Sequence, residues 1–355
     1  MRVKVQAILG EGLYSAPATC TFRINPPVPY LAADGTTQTC LNYTVLTGSE
    51  GTLAAGWYVA DGTISFDHQL NTSGDFHLIL KDGAVMNIGT EGSPASGYGI
   101  YANEGCSISI HGQSTGEHRG QLWINATDYG IYTDGGNVVI SGGEVHARGS
   151  GDYFVGIYAY KINNKGGSVS MTNAVVTAEG KYGIYSFRGG ITLTDCKVTA
   201  TSDFFGIIAD SGDLEISGGQ VTATGTSYYG IAANNITLSW TAPTDFISAN
   251  SYRAYNGGTI TLAKAFTDGD GNIYSGIIDK EEDDIYAING KKLLPYIGDA
   301  NGDYVVTIAD VVMVVSYLVN GQEPEGFNFD QADVDGNATV DTTDLRAIVD
   351  MILEE

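Results

Sequence analysis

The sequence predicts a mainly β protein, a right-handed parallel β-helix (solenoid) followed by a small all-α domain at the C-terminus. Three observations carry this expectation. Glycine supplies 48 of 355 residues against 8 prolines and 43% apolar residues, a composition that suits a turn-rich β fold with a core and excludes collagen, a Gly/Pro linker and wholesale disorder. A short phrase, aromatic-Gly-Ile-Tyr-Ala, recurs through the middle of the chain. Beyond Pro295 the pattern changes to two acidic loops, each leading into an apolar run at helical spacing.

Taken from the N-terminus, residues 3–9 and 18–24 alternate like the last two strands of a β-sandwich, and Asn25-Pro26-Pro27-Val28-Pro29 reads as a stiff linker. Residues 1–29 therefore resemble the end of an immunoglobulin-like module, which implies more protein upstream, with any export signal outside the sequence. Residues 30–97, with Trp57-Tyr58-Val59, Thr63-Ile64-Ser65-Phe66 and Phe76-His77-Leu78-Ile79-Leu80, keep a strand-turn rhythm and are expected to form the first, irregular coils. The solenoid is expected to span residues 30–295.

The phrase occurs around Gly99, Gly130, Gly156, Gly183, Gly206 and Gly230, spaced 31, 26, 27, 23 and 24 residues apart. Each unit carries two further alternating runs, punctuated by turns such as Ser141-Gly142-Gly143 and Ser217-Gly218-Gly219. Three short strands per variable unit predict coils stacked about 4.8 Å apart. Period-2 alternation sends the Ile inward and the following Tyr outward, and puts the aromatic residue before the Gly at an inner corner. The outward column then runs Tyr101, Tyr132, Tyr158, Tyr185, Ile208, Ala232 and Tyr255, with Tyr160 and Phe187 one outward place further along.

Tyr101, Tyr132, Tyr158, Tyr160, Tyr185 and Phe187 thus predict an exposed aromatic face across four coils. Such a row can act as a platform for sugar rings. It can equally be a ladder that stiffens the sheet through same-face neighbours, and the residues alone leave both open.

Parallel β-helices include pectate lyases and polygalacturonases, so a polysaccharide lyase or glycoside hydrolase is the rival reading. Paired carboxylates for glycoside hydrolysis need to lie about 5–9.5 Å apart. On the outward face the acids are Asp134 and Asp210, three coils or roughly 14 Å apart. Glu144 and Glu215 show no identifiable partner in the sequence, and Lys181 and Arg188 have no flanking acidic cluster in register. No catalytic residue is assigned, and the expected body is a non-catalytic one that binds or displays against carbohydrate. A protein-binding surface adhesin is the third reading.

Near the end of the solenoid, Asp268-Gly269-Asp270-Gly271-Asn272 reads as a hairpin turn. Asp268, Asp270, Asn272 and Asp279 also fit positions 1, 3, 5 and 12 of a calcium loop, a possible weak third site. Asp279-Lys280-Glu281-Glu282 predicts the start of a short capping helix that stops at Gly290.

The strongest chemical signal is duplicated at an offset of 34 residues. Asp299, Asn301, Asp303, Val305, Thr307 and Asp310 stand at positions 1, 3, 5, 7, 9 and 12 of one loop; Asp333, Asp335, Asn337, Thr339, Asp341 and Asp344 do so in the other. Oxygen donors at this spacing, with position 7 offering its backbone carbonyl, suit a hard cation wanting six to eight oxygens. Calcium fits the donor set; zinc and copper do not. Tyr304 and Ala338 fill position 6, where Gly is usual, so both turns are expected to be strained, and Asn337 in place of Asp should weaken the second site.

This loop-helix, linker, loop-helix unit resembles a dockerin module over residues 296–355, preceded by a body resembling bacterial surface or carbohydrate-active β-helix proteins. The resemblance implies two bound Ca²⁺ ions and calcium-dependent docking into a cohesin module of a scaffold or cell-surface protein. Its usual recognition positions fall on Ile308, Ala309, Ser316 and Asn320 in the first half, and on Thr342, Thr343, Asp350 and Glu354 in the second. The two sets differ in polarity, so one face is expected to dominate.

The net charge of −24 makes a phosphate-tracking surface, and so a nucleic-acid partner, a poor expectation. No run approaches a membrane span. The dockerin resemblance places the protein outside the cell or on its surface. Cys20, Cys40, Cys106 and Cys196 lack C-x2-C spacing, which excludes the usual zinc frameworks; Cys20 and Cys40 could pair or stay as free thiols.

Overall fold

A computed structural model of the chain describes residues 25–151, 154–161, 167–280 and 285–353 in full, with Glu354 and residues 2–5, 8–10, 13–14 and 18–21 by backbone. The protein is mainly β, with a small helical region at the C-terminus. Its dominant feature is a continuous sheet of 25 strands among the described residues, in which most strands pair in parallel with the strand one turn of chain later. Phe76–Leu80, for example, pairs with Ile108–Gly112, and Gln121–Ala126 with Glu144–Gly149.

The repeated phrase sets the register. Ile100, Ile131, Ile157, Ile184, Ile207 and Ile231 lie directly one above another, and all are fully buried. Each such side chain stabilises the stack by about 1.5–3 kcal/mol on burial, and truncation of one to Ala costs about 2–5 kcal/mol with its cavity. The next inward place holds Ala102, Thr133, Ala159, Ser186, Ala209 and Ala233, also buried. Thr133 keeps its hydroxyl satisfied by donating to the Gly136 carbonyl at 2.9 Å.

Glycine before each Ile has a steric cause. A Cβ on Gly130 would lie 2.5 Å from the Gly156 carbonyl oxygen, and one on Gly183 2.5 Å from that of Gly206. The backbone of one rung approaches the next too closely there for any side chain. In the later rungs the strands run on through their corners, giving the long elements Val175–Phe187, Ile191–Asp210 and Leu214–Gly225.

Several expectations need correction. Residues 28 and 29 do not belong to a linker: Val28–Leu31 pairs antiparallel with Thr37–Cys40, and this hairpin lies across the outside of the stack. Gln113 donates to the Pro29 carbonyl and Thr172 to that of Ala33, at 3.1 and 3.0 Å. In the last copy of the phrase, Tyr252 takes the Ile place and is fully buried, and Arg253 rather than Tyr255 stands in line with Ala232. Ile208 and Ala232, expected to face solvent, are buried; the larger Tyr185 and Arg253 flank them one rung away on either side.

The C-terminal end of the stack is covered by antiparallel strands Ile273–Ile278 and Lys292–Pro295. The expected capping helix falls partly on residues 281–284, outside the described residues; residues 286–290 form a bridge and turns, not a helix. At the other end, Arg2–Val5 pairs antiparallel with Ala18–Thr21. Cys40, Cys106 and Cys196 are free thiols, and Cys20 lies where no side chain is described. Among the described residues no helix is long and apolar enough to cross a membrane.

The hairpin is held over a stack of rings. Trp57 stacks on His77 at 4.4 Å and lies 5.2 Å from His111, and Tyr30 of the hairpin packs on Trp57 and His111. His111 donates from Nδ1 to the Leu31 carbonyl at 2.9 Å, while its Nε2 is buried without a partner. Protonation would bury an unpaired N–H⁺, and burial pulls the His111 pKa down to about 4. The folded state thus binds this proton less readily than the unfolded chain, so stability is full above about pH 6.5 and falls as pH drops from there through 4. Thermal melts of the full chain across this window should show the fall, and His111→Phe should flatten it; parallel profiles would remove His111 from the hairpin's attachment.

Candidate calcium loops and docking face

The helical region builds two similar halves around its own core of Ala300, Val314, Ala332, Val334, Val340 and Ile348. Helix α1, Ile308–Asn320, starts on Thr307, whose side chain accepts from the Ala309 N–H; with Asp310 it makes a capping box, and Gly321 ends the helix in a left-handed conformation. A one-turn helix α2, Phe329–Ala332, which sequence periodicity did not signal, leads into the second loop. Helix α3 is Thr342–Glu354.

In both loops the carboxylates at positions 1 and 12 are buried and turned inward. Asp299 accepts from the N–H groups of Asp303 and Tyr304 at 3.1 and 2.9 Å, and Asp310 from those of Asn301 and Thr307 at 3.0 and 2.7 Å. The second loop repeats this: Asp333 accepts from Asn337 and Ala338, and Asp344 from Val334 and Asp341. Backbone donors thus wrap the loop around its acids, while Asp303, Asp335 and Asn337 stand on the exposed rim.

Carboxylate oxygens of Asp333, Asp335 and Asp344 lie within 4.8 Å of one another. Burial, with Asp310 nearby, pushes the Asp299 pKa up, the direction expected when converging acids lack a neutralising charge. The donor set is all oxygen, and a hard divalent cation fits it. Tyr304 and Ala338 at position 6 have φ of 64° and 65°, left-handed values that cost a side-chain-bearing residue about 1 kcal/mol or more.

The first half presents an apolar strip to solvent. Ile308, Val312, Val315 and Val319 follow i, i+4, i+7, i+11 along α1 and are all exposed, Ile308 at 68% and Val319 at 77%. Tyr304 and Val305 extend the strip into the loop. Opposite, α3 exposes Thr342, Thr343, Arg346 and Asp350, with a loose Arg346–Asp350 pair at 3.7 Å. Of the anticipated recognition residues, Ile308, Ala309, Asn320, Thr342, Thr343 and Asp350 are exposed; Ser316 is half-buried and accepts from Asn320, and the Glu354 side chain is outside the described residues.

A duplicated acidic loop whose buried acids hold the start of each helix is the decisive arrangement. Residues 297–353 match the dockerin type I domain. Dockerin domains dock into cohesin modules and those of type I bind calcium in general; proteins carrying them are typically extracellular cellulosome components. No curated protein and no solved structure matches the chain.

The dockerin region leans on the stacked strands. Lys264 pairs with Asp330 at 2.8 Å and sits 4.4 Å over the Trp240 ring. Pro243 lies so close to Gly336 in the second loop that a Cβ there would meet its ring at 2.6 Å. Glycine at this loop position is thus required twice, by its φ of 71° and by the neighbouring strand turn.

The aromatic face differs from its expectation. All six rings named above are half-buried, not exposed, because they stack on one another: Tyr101 on Tyr132, Tyr158 on Tyr185 and Tyr160 on Phe187, with centroids 5.6, 4.6 and 5.0 Å apart and planes within 11°. Tyr98, Tyr129 and Tyr182, expected at an inner corner, join the same row, Tyr98 lying 4.8 Å from Tyr101 and Tyr129 5.2 Å from Tyr132. Their position in the repeated phrase signalled them, but alternation alone placed them inside. Rings packed face to face show water mainly their edges, and burial raises the pKa of Tyr132, Tyr158 and Tyr185 well above the usual range.

Two further readings change. Glu144 has partners after all: His146, two places along the same strand face, at 2.8 Å, and Gln121, brought in by the pairing of neighbouring rungs, at 2.9 Å. Asp268 is engaged within its own turn. Its carboxylate accepts from Asp270, Asn272 and Tyr274 and faces Lys291 at 3.1 Å, which holds its pKa far down and fits the hairpin turn. Ala338→Gly should relieve the left-handed strain in the second loop and stabilise the calcium-loaded dockerin by about 1 kcal/mol, read as a raised calcium-saturated melting temperature; an unchanged or lower value would show that the strain is not there.

Proposed function

We propose that this protein is a secreted, non-catalytic component of a cohesin-anchored assembly, in which the dockerin carries a rigid solenoid. Its divisions are an immunoglobulin-like β segment before residue 28, a right-handed parallel β-helix with its hairpin strap and cap over 28–295, and the dockerin over 296–355. The parallel pairing of each strand with the one a turn later supports the β-helix reading, and the strong right-handed preference of parallel crossovers supports its hand. Two Ca²⁺ ions are proposed, one on Asp299, Asn301, Asp303, Val305, Thr307 and Asp310, the other on Asp333, Asp335, Asn337, Thr339, Asp341 and Asp344.

The observation that carries the docking mode is the apolar strip of Ile308, Val312, Val315 and Val319. Contiguous exposed apolar surface marks a contact site, and α3 offers no counterpart. We therefore assign the cohesin contact mainly to α1, with Ala309 and Asn320 at its margin, and give the α3 set a minor role. The stacked tyrosines are read as a ladder that stiffens the solenoid, since their faces are occupied by one another. A hydrolase or lyase reading gains no support from paired acids on that face.

Capture of the full chain by cohesin modules should require calcium and be lost in the double variant Asp299→Ala, Asp333→Ala. Val312→Glu with Val319→Glu should abolish capture while calcium-induced helix content survives, whereas Thr342→Ala with Thr343→Ala should leave capture within about threefold. Capture that survives the α1 changes and fails with the α3 changes would reverse the assignment.

A further inference from the structure

We infer that a notch on a second outer face of the stack, at His146, binds one neutral sugar unit of a polysaccharide. This site is distinct from the tyrosine row and independent of the docking mode proposed above. Three consecutive rungs place Trp123, His146 and Thr177 in one outward column. The Trp123 and His146 rings stack with centroids 3.6 Å apart and planes 5° from parallel. Thr177, the next residue in the column, is too small to cover the far face of the imidazole. Where the tyrosine row spends its ring faces internally, this column stops at Thr177, and the imidazole lines the cavity beside it.

The imidazole is held in place. Trp123 donates from Nε1 to Gln121, Gln121 donates to Glu144, and Glu144 pairs with Nε2 of His146, at 3.3, 2.9 and 2.8 Å. A platform locked by such a chain loses little freedom when a ligand stacks on it. Beside it lies a cavity of about 300 Å³, lined also by Asn125, Arg148, Glu91 and Glu179, at the small end of ligand pockets and suited to a single ring.

The surrounding groups specify the ligand class. Arg148 lies between two carboxylates, 3.1 Å from Glu91 and 3.8 Å from Glu179. Donors on Arg148 and Asn125 and acceptors on the two glutamates offer the mixed pattern that adjacent hydroxyls need, since each hydroxyl both donates and accepts. Two acids to one guanidinium leave the notch negative, so a uronate or phosphate would be repelled. A neutral pyranose, with its C–H face on the imidazole and its hydroxyls on the rim, satisfies both conditions.

The test is titration of the calcium-loaded full chain with methyl glucoside, galactoside, mannoside and xyloside, with cello-, manno- and xylo-oligosaccharides, and with oligogalacturonate, followed by saturation-transfer NMR and calorimetry. At least one neutral series should bind and oligogalacturonate should not. His146→Ala should weaken binding about tenfold or more, the scale of one lost stacking contact and its hydrogen bonds. Thr177→Tyr, which continues the ring column and fills the notch, should do the same with an unchanged circular dichroism spectrum and melting temperature. Cohesin capture should be untouched in both variants, so failure here and failure of the docking mode are separable. Binding by none of the neutral saccharides, preference for oligogalacturonate, or full binding by a folded Thr177→Tyr protein would each overturn the proposal.

Discussion

Parallel pairing between successive rungs is the interaction on which the rest of the molecule depends. It holds each backbone about 4.8 Å from the next and places every side chain directly over its counterpart. Columns follow from it. The inward Ile column, fully buried over six rungs, is the core; the outward Tyr column, with ring centroids 4.6–5.6 Å apart, is a ladder because rings on neighbouring rungs fall within aromatic contact distance. The same geometry forces Gly before each Ile, where carbonyls of adjacent rungs leave no space for a Cβ.

A column also acquires function where it is interrupted. The tyrosine row is continuous and largely self-satisfied, which makes it mechanical. The Trp123–His146 column ends at Thr177, and the imidazole lines a cavity with Arg148 of its own strand and with Glu91 and Glu179 from other parts of the chain. In the dockerin the corresponding constraint is electrostatic. Buried acids at both ends of each loop are braced by backbone N–H groups and orient α1 and α3, so that metal binding, helix placement and presentation of the α1 strip are one problem. The Lys264–Asp330 pair and the Pro243–Gly336 contact then set that strip relative to the stack.

The excess of acid is divided between these roles. Residues 296–355 hold 13 acids and Arg346 as their sole cation, and the two calcium ions proposed for the loops would offset four units of that charge. Glycine divides likewise, between rung corners, loop turns at positive φ, and the loop position where Pro243 approaches.

The repeat, the inward Ile positions, the hairpin at residues 267–272, both loop-helix units and the position-6 strain at Tyr304 and Ala338 are legible in the chain alone. Each is a local pattern: periodicity, turn chemistry or donor spacing within a dozen residues. The three-dimensional packing sets which rings are covered, that residues 28–40 strap the stack through contacts with Gln113, His111 and Thr172, that Tyr252 replaces an Ile, and that Glu144 meets Gln121. It also decided that the exposed strip on α1 is valine-rich rather than confined to the family's usual recognition positions. The physical reason is that alternation gives the side of a strand on which a residue sits, whereas coverage depends on the size of the residues one rung away, 23–31 positions distant in the chain.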